Sequence, residues 1–148
     1  MSLLNLQASY FAFENPLRQL ERRFNRFCHR ARVRVNRREV ELRWTERAES
    51  ELRRDGGRLV VELQLYFSCV VKKRVLFHRE RVAFDTIRVD QRLELAFRPI
   101  ASAVCEPAEF AARYPEGRDL ASGLAARMVP RAVEIDFRRG RWEGQFLY

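Results

Sequence analysis

Apolar residues recur at helical spacing near the beginning of the chain, directly after a helix start signal. Asn15 can accept hydrogen bonds from free backbone N–H groups, and Pro16 fits the first helical turn. The apolar stripe that follows is made of Leu17, Leu20, Phe24 and Phe27. The pattern predicts an amphipathic helix that runs from Pro16 to about Arg30 and packs its apolar stripe on the core.

Most of the remaining chain alternates apolar and polar residues, which is the period of a β-strand. Residues 46–57 are different, because they are charged and end in the turn signal Asp55-Gly56-Gly57, and they predict a loop with at most one helical turn. The expected strands are a pair or one bulged strand over residues 30–44, a hairpin built on Leu59–Val71 with its turn at Lys72–Arg74, a short strand-turn-strand unit ending at Pro99, and a C-terminal hairpin around Gly140.

These elements predict an α+β fold. We expect an antiparallel, meander-like sheet of about five to seven strands, covered by the N-terminal amphipathic helix. A short helical insertion, with helices over Glu106–Tyr114 and Asp119–Met128, is expected before the C-terminal hairpin. The chain has 148 residues and no internal repeat or linker, so we expect residues 1–148 to form a single domain.

The positive charge of the protein is concentrated in one part of the chain. The formal net charge is +9, and residues 17–38 contain nine arginines against one glutamate. Only two of the 29 basic residues are lysine, so part of this richness in arginine can reflect the base composition of a genome. The other explanation for the arginine content is a surface that binds anions, because the guanidinium group matches the geometry of phosphate.

We therefore predict a small basic non-catalytic module that binds nucleic acid or another anionic macromolecule through an arginine-rich helix and the strand after it. No helix-turn-helix, zinc finger or RNA-recognition signature accompanies the charge, so the expected binding is sequence-independent and sensitive to salt. The candidate binding residues are Arg18, Arg22, Arg23, Arg26, Arg30, Arg32, Arg34, Arg37 and Arg38.

Two other classes of function stay open. Aromatic residues near both ends could form an exposed patch, which favours a protein-interaction or assembly subunit with an acidic protein or a second copy as partner. The members are Tyr10, Phe11, Phe13, Trp142, Phe146 and Tyr148, and they could equally be buried in the core. A ligand or enzyme pocket could use the strand carboxylates Glu62, Glu94, Glu134 and Asp136, which could instead pair with cross-strand arginines such as Arg43, Arg79 or Arg81.

The sequence contains no motif for a cofactor, a nucleotide or a catalytic serine. We therefore expect no cofactor, and the sequence favours a non-catalytic role while enzyme activity stays open. The cysteines Cys28, Cys69 and Cys105 are scattered, and neither His29 nor His78 forms a zinc-type ligand pair, so no metal site is expected. Cys28 and His29 are adjacent, but neighbours on a helix point about 100° apart. Without a membrane-spanning run or a leader, we expect a cytoplasmic protein with reduced thiols.

Overall fold

The computed structural model describes residues 27–68, 71–102, 117–120 and 123–148 of the chain, and β-structure dominates them. Two helices occur in these ranges, α1 (Glu46–Asp55) and the single turn α2 (Leu124–Arg127). The strands there are β1 (His29–Val35), β2 (Arg38–Trp44), β3 (Leu59–Phe67), β4 (Val71–His78), β5 (Ile87–Arg88), β6 (Leu93–Ser102), β7 (Gly117–Asp119), β8 (Ala132–Arg138) and β9 (Arg141–Leu147).

The strands form two mixed sheets that share one plan. In the first sheet the order is β1-β2-β8-β9, and in the second it is β4-β3-β6-β5, with β7 also paired to β6. Each sheet has a parallel pair at its centre, β2 with β8 and β3 with β6, and antiparallel partners outside it. Strands far apart in sequence therefore hold each sheet together, as when Leu42 pairs with Val133.

Helix α1 carries the chain from the first sheet to the second. The Thr45 hydroxyl accepts a hydrogen bond from the N–H of Ala48 at 3.2 Å, and Gly56 ends the helix at φ +65°. Ala48 and Leu52 lie on the buried side of the helix, which packs against β8. Helix α1 thus connects β2, in the first sheet, to β3, in the second.

The inner faces of the two sheets meet in one hydrophobic core. Leu42 and Ile135 come from the first sheet and Leu63 and Leu95 from the second, and all four are almost fully buried. Strand β9 approaches β4 most closely at Gly144, where an added Cβ would lie 2.9 Å from Phe77 and 3.0 Å from Val75. The absence of a side chain at this position lets the two strands come together.

The predicted helix-covered antiparallel meander is wrong. The described residues form two mixed sheets with parallel pairs, and strand outweighs helix in them. Alternation along a strand shows which residues share a face but not which strand lies beside it, and the prediction paired neighbours in sequence. The predicted N-terminal helix over Pro16–Arg30 lies mostly outside the described residues, and at its end His29 and Arg30 belong to β1.

Several local predictions also need correction. The charged stretch predicted as a loop is the ten-residue helix α1, whose glutamates near the start and arginines near the end suit the helix dipole. Lys72, Lys73 and Arg74 lie inside β4 rather than in a turn. Strand β6 continues through Pro99 to Ser102. Within the helix expected over Asp119–Met128, Asp119 belongs to β7 and Leu124–Arg127 form α2, and the helix expected over Glu106–Tyr114 lies outside the described residues.

The structure confirms the predicted hairpin of β3 with β4, whose second strand starts at Val71. It also confirms the C-terminal hairpin β8–β9, and of the two alternatives for residues 30–44 it shows a strand pair, β1–β2. These last two hairpins have two-residue turns with left-handed backbone, Asn36-Arg37 at φ +46° and +70° and Arg139-Gly140 at φ +51° and +73°. Positive φ at both central residues is the turn geometry that matches the twist of antiparallel strands. Among the described residues, neither helix has the length and apolar character that a bilayer span requires.

Candidate functional site

The β1–β2 hairpin carries an excess of positive charge. It contains six arginines against two glutamates between His29 and Trp44. Three of the arginines, Arg30, Arg32 and Arg34, alternate along β1 with half-buried apolar residues and are exposed. We call these three residues the arginine row. Its members are about 6.6 Å apart, because a strand rises about 3.3 Å per residue.

Two members of the arginine row are paired with acids on β2. A guanidinium nitrogen of Arg30 lies 3.7 Å from a carboxylate oxygen of Glu41, and one of Arg32 lies 3.4 Å from Glu39. The arginine side chains remain 64% and 68% exposed. Exposed pairs of this kind contribute about 0–1 kcal/mol, so a phosphate group can displace the glutamate at little cost.

Glu41 is shared among several arginines. The hydrogen bond from Arg43, at 3.0 Å, lowers the pKa of Glu41, burial opposes this effect, and the charges of Arg30 and Arg32 lower the pKa further. Arg43 also lies 3.9 Å from Glu134 on β8. The outer face of the first sheet therefore carries a network of oppositely charged side chains. The arginine row is the positively charged part of this network.

The row is extended by Arg37 in the turn. Neither Arg34 nor Arg37 has a hydrogen-bond or ion-pair partner among the residues that the structure describes. Arg38 is different, because it donates a hydrogen bond to the carbonyl oxygen of Val129 at 3.1 Å. The structure thus places Arg30, Arg32, Arg34 and Arg37 on one hairpin. Arg38 lies on the same hairpin, but its side chain is bonded to the backbone. The other candidates, Arg18, Arg22, Arg23 and Arg26, lie outside the described residues.

A second polar cluster surrounds Glu62 on the outer face of the second sheet. The Glu62 side chain is 1% exposed, and its carboxylate accepts hydrogen bonds from Arg98 at 2.8 Å and Gln64 at 2.5 Å. His78 Nε2 lies 2.6 Å from the other carboxylate oxygen. The guanidinium group of Arg98 lies over the ring of Phe84 at 4.4 Å. Because the second face of β3 is also buried, this carboxylate is not on the solvated face that its alternation suggested.

The other strand carboxylates are also paired with cations. Glu94 lies 3.0 Å from Arg58, and Asp136 forms a bidentate pair with Arg47, at 3.2 Å and 2.5 Å. Of the cross-strand arginines named above, Arg43 does pair with Glu134, whereas Arg79 pairs with Asp55 at 2.7 Å. These four carboxylates do not converge on a common point, and each holds a local contact. Their arrangement favours a structural role over acid-base catalysis.

The aromatic patch proposed for protein contacts is divided between core and surface. Phe146 is buried, and Trp142 stacks with Phe77 at a centroid distance of 5.8 Å and also packs against Phe137. Tyr148 is exposed and donates a hydrogen bond to the carbonyl oxygen of Met128. Tyr10, Phe11 and Phe13 lie outside the described residues. The C-terminal members therefore leave little apolar surface for a partner.

One constellation escaped the sequence analysis. Cys28 and His29 lie where β1 begins, and Glu46 is the first residue of α1. Their ligand atoms lie within 4.8 Å of one another, with His29 Nε2 and Glu46 Oε2 2.7 Å apart and Cys28 Sγ 3.9 Å from the same oxygen. The adjacent pair was set aside because a helix was expected at these residues. The third member is 17 residues away, so no local spacing could reveal it.

Cys69 and Cys105 both lie outside the described residues. Comparison of the chain with protein-family models, with curated proteins and with solved structures found no match to any of them. The function must therefore be argued from the charges and contacts described above.

Proposed function

We propose that the protein is a basic, non-catalytic module that binds the phosphate backbone of nucleic acid through the β1–β2 hairpin. The observation that carries this proposal is the exposed arginine row, continued by Arg37. Arginine side chains at regular intervals on one face offer several guanidinium groups to a chain of phosphates at once. The expected binding is electrostatic and independent of base sequence.

The turn supports the same proposal. Arg37 has a φ of +70°, a conformation that costs residues other than glycine about 1–2 kcal/mol, and glycine is the preferred residue at this position of the turn. Backbone strain that a sequence retains is often found at functional sites. An exposed arginine without a partner among the described residues is better placed for an external anion than for stability of the turn.

The alternative functions have less support. The aromatic patch that favoured an interaction or assembly subunit is smaller than expected, because Phe146 is buried and Trp142 packs against Phe77. An acidic protein or a second copy of the chain remains the alternative partner for the arginine row. A pocket enzyme is less supported because each of the strand carboxylates Glu62, Glu94, Glu134 and Asp136 holds a contact of its own with a neighbouring cation. We infer a cytoplasmic setting, in which nucleic acid is available and the free thiol of Cys28 would stay reduced.

The test is binding of the purified protein to a labelled single-stranded oligonucleotide of mixed sequence over a salt series. The informative variant is Arg34→Glu with Arg37→Glu, because neither side chain has a partner among the described residues. We expect the affinity to fall more than tenfold at low salt. The slope of log affinity against log salt should decrease by about 0.7 for each phosphate that the variant no longer binds.

The matched control is Arg139→Glu with Arg141→Glu. Both residues are exposed, and the double change lowers the net charge by the same amount. Because β2 and β8 run parallel, the turn before β2 and the turn after β8 lie at opposite ends of the sheet. Equal reductions in affinity in the two variants would show that net charge acts rather than the hairpin. Absence of binding at low salt would reject the proposal. A protein partner would then be the alternative, and the oligomeric state of the purified protein would show whether that partner is a second copy of the chain.

A further inference from the structure

The cluster of Cys28, His29 and Glu46 offers three different ligand atoms to one point on the surface. A thiol sulfur, an imidazole nitrogen and a carboxylate oxygen lie within 4.8 Å of one another. In a tetrahedral zinc site with bonds of about 2.0–2.3 Å, neighbouring ligand atoms are about 3.3–3.6 Å apart. The separations of 2.7 Å and 3.9 Å bracket this range, and the remaining pair, Cys28 Sγ and His29 Nε2, lies within 4.8 Å, so side-chain movements of about 1 Å would place the three atoms around an ion.

Two of the three ligands are held by rigid neighbours. His29 pairs in register with Trp44 across β1 and β2, and its ring stacks on that indole at 5.8 Å with an angle of 15°. Glu46 begins α1 directly after its capping residue, Thr45. A metal site whose ligands belong to formed elements loses little conformational entropy when the ion binds. The strand pairing and the ring stack thus orient the imidazole before any ion arrives, and the helix cap fixes the backbone that carries the Glu46 side chain.

The ligand types select the class of metal. Thiolate and imidazole suit zinc and other borderline transition metals, whereas calcium and magnesium require sets of oxygen ligands that this cluster lacks. A thiolate and a carboxylate together supply the two negative charges that balance a divalent cation. Three protein ligands also leave a fourth tetrahedral position, and the 65% exposure of Glu46 makes that position accessible to water.

We propose that Cys28, His29 and Glu46 bind one Zn²⁺ ion, with water in the fourth position. On binding, the thiol proton of Cys28 leaves to solvent, Glu46 binds as the carboxylate, and the neutral imidazole of His29 binds through Nε2 with its proton on Nδ1. The ion then joins the start of β1 to the start of α1. This site is independent of the nucleic-acid proposal, because its ligands are not members of the arginine row.

The experiment uses the full chain after removal of metal with a chelator. Titration with Zn²⁺, followed by calorimetry, should give one ion per chain, and the thermal midpoint Tm should rise in excess Zn²⁺. Co²⁺ serves as a spectroscopic probe, and its complex should show thiolate-to-cobalt charge-transfer absorption. A variant with Cys69→Ala and Cys105→Ala should keep that absorption, which assigns it to Cys28.

Single variants Cys28→Ser, His29→Gln and Glu46→Gln should each weaken Zn²⁺ binding by more than the 10–100-fold typical for loss of a residue that only supports a ligand. The matched control is Glu39→Gln, because Glu39 is 63% exposed on the same hairpin and should leave the affinity unchanged. Zn²⁺ binding that is equal in the wild type and Glu46→Gln would overturn the proposal. So would a cobalt complex of the wild type without thiolate absorption.

Discussion

At the residue scale, the most demanding group in the described chain is the carboxylate of Glu62. It is almost completely buried, and three side chains converge on it from three strands. Burial of a charge is tolerated only when every partner is present, because each charge left alone would lack both water and a counter-charge. The cluster therefore acts as a unit that joins β4, β3 and β6 across the outer face of the second sheet.

Replacement of Glu62 by alanine should lower the free energy of unfolding by about 1–3 kcal/mol, because Gln64, His78 and Arg98 would lose a buried acceptor, although Arg98 keeps its pair with Asp119 at 2.7 Å. Chemical denaturation of the purified protein measures the change. Glu39→Ala is the comparison, since its pair with Arg32 is exposed and should contribute at most about 1 kcal/mol. Similar reductions in the two variants would contradict the role assigned to burial.

Glu49 makes stability depend on pH. Burial opposes its ionisation, but hydrogen bonds from Trp44 at 2.7 Å and Arg53 at 2.9 Å lower its pKa below the ordinary value of 4.5. A carboxylate with a lowered pKa stabilises the fold above the pKa of the unfolded chain, and this contribution disappears as pH falls through the lower value. Glu49→Gln should therefore cost about 1 kcal/mol at pH 7.

The difference in unfolding free energy between wild type and Glu49→Gln should shrink as the pH falls below 4.5. Denaturant midpoints measured from pH 7 to pH 3 give the comparison directly. A difference that stays constant over this range would mean that the carboxylate charge contributes nothing and that the substitution acts through packing alone.

At the element scale, the two tight hairpin turns have the same left-handed geometry but different second residues, Arg37 and Gly140. Glycine adopts this conformation without steric cost, whereas arginine does not. Arg37→Gly should therefore raise the free energy of unfolding by up to about 1 kcal/mol, and Gly140→Ala should lower it by about 1 kcal/mol. Thermal unfolding of both variants would show opposite shifts, and a lower stability of Arg37→Gly would be evidence against strain in the first turn.

The sequence predicts the strands and hairpins of this protein much better than it predicts which distant strands pair with each other. The hairpins at either side of Asn36-Arg37 and Arg139-Gly140 are visible because alternation and turn residues are local. The parallel pairing of β2 with β8 cannot be predicted from the sequence, because no local feature indicates that Leu42 pairs with Val133. Helix α1 was missed because its residues are mostly charged, and only Ala48 and Leu52 are buried.

The candidate sites follow the same rule. The arginine row could be found from the sequence because its members alternate along one strand. Its partial neutralisation could not, because the acids lie on β2 and the register decides which side chains meet. The cluster of Cys28, His29 and Glu46 required the helix start to be placed beside the strand start, which is a property of the whole fold.

At the scale of the whole molecule, the approach of β9 to β4 tests how the two sheets are joined. Gly144→Val would direct a branched side chain at Phe77 and Val75, where a single Cβ already lies within about 3 Å of both. Overpacking of this kind costs about 1–3 kcal/mol. Glu143→Val is the control on the same strand, because Glu143 is exposed and its replacement should change the free energy of unfolding by no more than about 0.5 kcal/mol. Equal stability of the two variants would show that the sheets do not depend on this contact.

The parallel pair at the centre of the first sheet also sets the timing of folding. A newly made β1–β2 hairpin has no strand to complete its sheet until residues 132–138 have left the ribosome. Contacts between such distant segments must overcome a large loss of chain entropy, and folds rich in them form in milliseconds to seconds rather than microseconds. We therefore expect the first sheet to form only after β8 has been synthesised, with the exposed edges of its early strands a target for chaperones until then.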